Sequence, residues 1–151
     1  MASDPWLSIR IELVSGRGIE LEHPPGRVMI ASPRHSLAEL AQAIDLAFAR
    51  WDHSHLHAFE LDGGRRHMPG GSEFEPEVGD STVARLDRLD LARGAEFEYV
   101  FDLGDDWRHR CRVEATDVDP EEEYGATPEQ PVPIWGWGWI PDQYGRIAAD
   151  E

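Results

Sequence analysis

The chain has 151 residues, enough for one domain of ordinary size and too few for two with a linker. Thirty acidic residues against fourteen basic ones give a net charge of −16, which excludes general binding to nucleic acid or to anionic membranes. Leu, Ile, Val and Phe make up about a fifth of the chain, so one core forms with little apolar surplus. No apolar run reaches membrane-spanning length, and MASDPWLSIR lacks the features of a secretory leader, so a cytoplasmic protein is expected. Every basic residue is Arg, a bias expected of a GC-rich coding sequence.

Residues 7–14 (LSIRIELV) alternate, with Leu7, Ile9, Ile11 and Leu13 on one face of a half-buried strand. Ser15-Gly16-Arg17-Gly18 is a turn. Residues 19–22 form a short strand, and 27–32 another beyond the His23-Pro24-Pro25-Gly26 break. Ser36 and Glu39 have capping-box spacing. Leu37, Leu40, Ala41, Ile44, Phe48 and Trp51 then recur at helical steps, which predicts a helix over 36–50 with that face on a sheet. Residues 55–61 (HLHAFEL) read as a strand, and Asp62-Gly63-Gly64 turns into its return at 65–68. Residues 69–80 are a surface loop, and 81–91 a short helix carrying Val83, Leu86, Leu89 and Leu91. Residues 95–114 give two strands around Leu103-Gly104-Asp105-Asp106. Phe97, Tyr99 and Phe101 share a face of the first. Trp107, His109, Cys111 and Val113 share a face of the second, with Arg108, Arg110 and Arg112 opposite. From Ala115 the composition turns acidic and Pro-rich, and an extended, poorly packed segment is expected. The division is then a single α+β domain over 1–114, followed by 115–151, an acidic Pro-rich segment and a Trp-rich arm packing on the domain or on a partner.

WDHSHLHAFEL (51–61) and YVFDLGDDWRHRCRVE (99–114), in that order, resemble the plasmid pRiA ORF-three-like family, which is marked by an HLH-F strand and a YDFGDDW-H hairpin. The resemblance covers roughly residues 5–125. It implies an α+β domain with a mixed sheet, in a bacterial family found on plasmids, beside transposable elements and on chromosomes. It implies no established activity. Pro24-Pro25-Gly26-Arg27-Val28 stands where members carry a PPIWRR-like segment, Leu103 replaces a Phe, and a Trp–Gly tail replaces a Cys-rich one. These departures mark a divergent member.

Four groups of residues could carry chemistry. His55 and His57 fall on one face of an extended strand, and Asp102, Asp105, Asp106 and His109 surround the next turn. If the segments meet, the imidazoles and a carboxylate could hold one divalent metal (Zn, Mn, Fe or Ni) and activate a water. The plainer alternative is Asp-to-His hydrogen bonding that only packs the two segments together. Trp135, Trp137 and Trp139 alternate with glycine, and an extended chain turns all three indoles one way. They form either a ligand platform or a cover over exposed core. The arginine row pairs across the strands with Glu96 and Glu98. Cys111, the lone cysteine, sits in a strand as a small apolar residue.

The expected fold is α+β: a mixed, largely antiparallel sheet of about five or six strands with one main helix packed on one face. The expected function is a binding or accessory module acting through protein or small-ligand contacts, with a protein partner or self-association. The alternative is a metal-dependent enzyme, a hydrolase for example, using His55, His57 and His109 with Asp102, Asp105 or Asp106. A third reading, an acidic decoy for a nucleic-acid-handling protein, rests on charge alone.

Overall fold

A computed structural model describes residues 4–145. Nine strands form one mixed sheet: β1 (Trp6–Gly16), β2 (Ile19–Glu20), β3 (Gly26–Ala31), β4 (His57–Leu61), β5 (Arg65–Met68), β6 (Gly79–Asp80), β7 (Glu96–Phe101), β8 (Trp107–Val118) and β9 (Val132–Trp137). The order across the sheet is β6-β5-β4-β7-β8-β1-β3-β9, with β2 paired only to β1. Every pairing is antiparallel except β5 with β6. The helices are α1 (Leu37–Ala47) and the five-residue α2 (Pro120–Tyr124).

The expected α+β domain of five or six strands is therefore corrected to a largely β fold in which one helix exceeds two turns. The missed strands are short or atypical. Gly79–Asp80 is two residues long, too brief for a period-two pattern, and β9 is interrupted by proline and glycine, while the short strand expected at 19–22 forms as Ile19–Glu20.

β1 is the spine. Ile9, Ile11 and Leu13 are wholly buried on one face, and β1 pairs with β8 on one side and β3 on the other. Phe97, Tyr99, Phe101, Trp107, His109, Cys111 and Val113 continue that face. The opposite face carries charge: Arg112 stands opposite Glu96, Arg110 opposite Glu98, and Arg108 bonds Glu98 and Glu60.

Leu37, Leu40, Ala41, Ile44 and Phe48 bury the α1 stripe on the sheet, while Trp51, beyond the helix, is half exposed. The capping box forms: Ser36 Oγ accepts from the Glu39 N–H at 3.1 Å, and Glu39 Oε1 accepts from the Ser36 N–H at 3.0 Å. Segment 81–91 holds only a single turn, Leu86–Arg88, in place of the expected helix. Its carbonyls serve α1 instead: Ala84 O accepts from the Leu37 N–H and Ser81 O from the Ala38 N–H, both at 2.9 Å. Val83 is exposed, and Leu86 and Leu89 enter the core.

Inside the core, the Tyr99 hydroxyl donates to Asp45 Oδ1 at 2.7 Å, joining α1 to β7. Burial pushes the Asp45 carboxyl up from 3.8 to about 7, against the Tyr99 bond and the Arg50 charge. The native state therefore holds this proton more tightly than the unfolded chain, and stability falls as pH rises from about 4 to 7. Asp45→Asn keeps an acceptor for Tyr99 and removes the ionisation. The variant gains up to about 4 kcal/mol over the wild type at pH 8 and nothing below pH 4, read by urea unfolding across that range.

Candidate functional site

Three segments meet at one end of the sheet: residues 50–56 before β4, the turn 102–106 between β7 and β8, and residues 141–145 after β9. Each is shaped locally by an aspartate. Asp52 Oδ1 accepts from the Ser54 N–H at 3.1 Å and from its hydroxyl at 2.6 Å. Asp102 has a φ of +62°, a conformation that Asp tolerates because its side chain bonds the nearby backbone. Its Oδ1 accepts from the N–H groups of Gly104 at 3.0 Å and Asp105 at 3.2 Å. The Asp102 N–H donates to Leu56 O at 2.9 Å, which fastens the turn to the first segment. These bonds explain the G-D-D sequence after Asp102 as turn chemistry.

His55 sits where the segments touch. The Tyr144 hydroxyl donates to Asp52 Oδ2 at 2.5 Å, so its oxygen accepts from His55 Nε2 at 2.6 Å. His55 Nδ1 lies 3.4 Å from Asp102 Oδ2, and Nε2 lies 3.5 Å from Asp52 Oδ2. Hydrogen bonds from Ser54 and then Tyr144 hold the Asp52 carboxyl well below the usual range. The same bond to Asp52 pushes the Tyr144 hydroxyl up to about 12. Imidazole, phenol and carboxylate thus form a continuous hydrogen-bonded chain that ties the three segments together.

The other sequence candidates lie elsewhere. β4 begins only at His57, so His55 and His57 do not share a strand face. His57 Nε2 is 3.0 Å from Ser81 Oγ, and burial pushes its imidazole down to about 4. His109 is wholly buried, its Nδ1–H donates to Tyr99 O at 3.1 Å, and burial pushes it down to about 3. Asp106 bonds Arg108 at 3.2 Å, and the Asp105 carbonyl accepts from the Arg17 N–H at 2.6 Å. Of the six proposed ligands, only His55 and Asp102 come together. Asp52 and Asp102 flank opposite ring nitrogens, so they do not converge on one point. Among the described residues, no group of three His, Cys, Asp or Glu side chains is placed to hold a metal ion. Cys111 is buried, and burial pushes its thiol up, away from the nucleophilic thiolate.

The three indoles part company. Trp137 stacks on Arg10, with the guanidinium carbon 4.3 Å from the ring centroid, and lies flat on Gly26, where a Cβ would come within 2.0 Å of it. Trp135 and Trp139 are 69% and 77% exposed. Gly138, at φ +82°, ends the extended run before Trp139.

Sequence reasoning missed Arg50 and Gln143. Gln143 is fully buried: its Oε1 accepts from the N–H groups of Trp51 at 2.9 Å and Asp52 at 3.0 Å, and its Nε2 donates to Asp52 O at 3.0 Å. Arg50 is 1% exposed, donates to Phe48 O and Pro141 O, and lies 4.6 Å over the Trp107 ring. Gln143 stands in a stretch without periodicity, and Arg50 falls between Phe48 and Trp51, off the apolar stripe of the expected helix, so nothing in the pattern marks either for burial.

The profile of the family described as Plasmid pRiA4b ORF-3-like protein matches residues 18–134, a span that includes β4, the Asp102 turn and β8. The chain belongs to this family. Within the family match lie His55 and Asp102, while Gln143 and Tyr144 fall beyond it. A crystal structure of a protein of unknown function from Methanosarcina mazei Go1 is similar in fold, with a TM-score of 0.65 at 21% identity. The match covers 87% of this chain and 68% of that one. No curated protein matches the chain. No helix among the described residues is long and apolar enough to cross a membrane.

Gln143→Ala leaves two backbone N–H groups of the 50–56 segment without their acceptor. The expected loss is about 1–3 kcal/mol of stability, measured by urea unfolding. Tyr144→Phe removes the donor to Asp52, and the Asp52 carboxyl then titrates at a higher pH, followed by NMR.

Proposed function

We propose that this chain is a binding module that docks a basic segment of a partner protein on the β9 edge of its sheet. The observation that carries the reading is the pair of exposed indoles, Trp135 on that edge strand and Trp139 two residues beyond its end. Exposed aromatic side chains of this size concentrate binding energy at interfaces. Residues 131–141 (PVPIWGWGWIP) contain no ionisable side chain, in a chain of net charge −16. An uncharged aromatic strip within an acidic surface suits a partner whose arginines stack on indole while the wider field steers it in. The stacking of Arg10 on Trp137 shows the geometry of such a contact within the chain itself. Pro131 and Pro133 lack N–H groups, so this edge is poor at adding another strand. The contact is therefore made by side chains.

The test uses an arginine-rich decapeptide as probe, with affinity read by calorimetry at two salt concentrations. Trp135→Ala/Trp139→Ala leaves the charge unchanged and weakens binding about tenfold or more. Equal affinity in the double variant would reduce the interaction to nonspecific charge attraction and sink the reading.

A further inference from the structure

A cavity of about 290 Å³ opens between the β1–β2 hairpin and the 141–145 segment. Gly16, Arg17, Leu21, Trp107, Pro141 and Asp142 line it. Its volume is near the lower end of the roughly 300–1,000 Å³ typical of ligand sites, so it suits a small molecule rather than a nucleotide. The lining is mainly apolar, with an aromatic floor. Trp107 is pinned there: a Cβ on Gly16 would come within 2.0 Å of its ring, and the Arg50 guanidinium covers it at 4.6 Å. The Trp107 indole N–H is buried and has no hydrogen-bond partner.

Arg17 supplies the cation. Among the described residues the guanidinium makes no ion pair, and it lies against Gly145, where a Cβ would come within 2.3 Å of Nη1. The position itself is costly for arginine. Arg17 and Gly18 are the two central residues of the β1–β2 turn, with φ of +53° and +76°. Such turns favour Asn-Gly, because both positions are left-handed. An arginine held at that strained position, with no ion pair among the described residues and at the wall of an apolar cavity, is placed for an anion. Asp142 also lines the cavity, next to the Arg50 charge, and its carboxylate disfavours a second anionic group on the ligand.

We propose that this cavity binds a small monocarboxylate with an aromatic or aliphatic body. Arg17 holds the carboxylate, and Trp107, Leu21 and Pro141 hold the body. The site is separate from the β9 indoles and does not depend on the partner reading.

The probe is phenylacetate, with the full chain, measured by calorimetry and by saturation-transfer NMR. Saturable binding is expected with a dissociation constant of about 1 mM or tighter. Phenylacetamide, its neutral analogue, binds at least about tenfold more weakly. Arg17→Asn weakens phenylacetate by a similar factor while raising the unfolding midpoint by about 1–3 °C, since Asn suits the turn better. Leu21→Phe narrows the cavity without touching Arg17 and also weakens binding. Trp135→Ala/Trp139→Ala leaves phenylacetate affinity unchanged. Equal binding of the acid and the amide would overturn the proposal, as would wild-type affinity in Arg17→Asn or Leu21→Phe. No saturable binding up to about 10 mM would overturn it too.

Discussion

A single eleven-residue helix cannot cover one face of so wide a sheet, and the rest of the architecture answers that shortfall. α1 covers the middle of the face. The remainder is closed by chain without regular structure: Val78, Leu86 and Leu89 come from the long connection between β5 and β7, and Ile140 from beyond β9. Irregular chain brings backbone polar groups with it, and these need partners. Ser81 and Ala84 spend theirs on the start of α1, Asp102 serves its own turn, and Gln143 satisfies residues 51 and 52. The His55 cluster belongs to this accounting. It joins three pieces of irregular chain at the point where the helix has already ended.

The two faces of the sheet do different work. The inner face is closed and holds several polar groups in their uncharged state. Burial keeps His57 and His109 neutral, so protonating them costs stability as pH falls below the ordinary imidazole range. Asp45 acts in the opposite sense between about pH 4 and 7, so it offsets part of the loss from the two histidines there. The outer face is a ladder of Arg and Glu side chains across β4, β7 and β8, and it gives way to uncharged aromatic surface only toward β9.

Much of the centre was legible in the sequence. Ile9, Ile11 and Leu13 alternate, Ser36 and Glu39 announce the helix start, and residues 97–113 show which side chains face inward. The segment meeting at Asp102 was also legible as a turn. What escaped was set by distant partners. Residues 81–91 have helical spacing, yet their carbonyls are committed to α1. His55 reads as part of a strand, yet Asp52 and Asp102 draw it into the preceding loop. β9 contains prolines and glycines that argue against a strand, and only the edge of β3 makes it one. Gln143 carries no local signal, because its burial depends wholly on residues about ninety positions away.

The pairing of the spine has a consequence for the order of synthesis. β1 lies between β3, its near neighbour in sequence, and β8, about a hundred residues downstream. β3 in turn waits for β9. As the chain leaves the ribosome, the β1–β3 hairpin therefore emerges with one long edge open until β8 arrives, and its buried row of Ile and Leu has no opposing cover before α1. Pairings this remote in sequence make folding slow, and an open apolar hairpin is a natural client for chaperones during that delay.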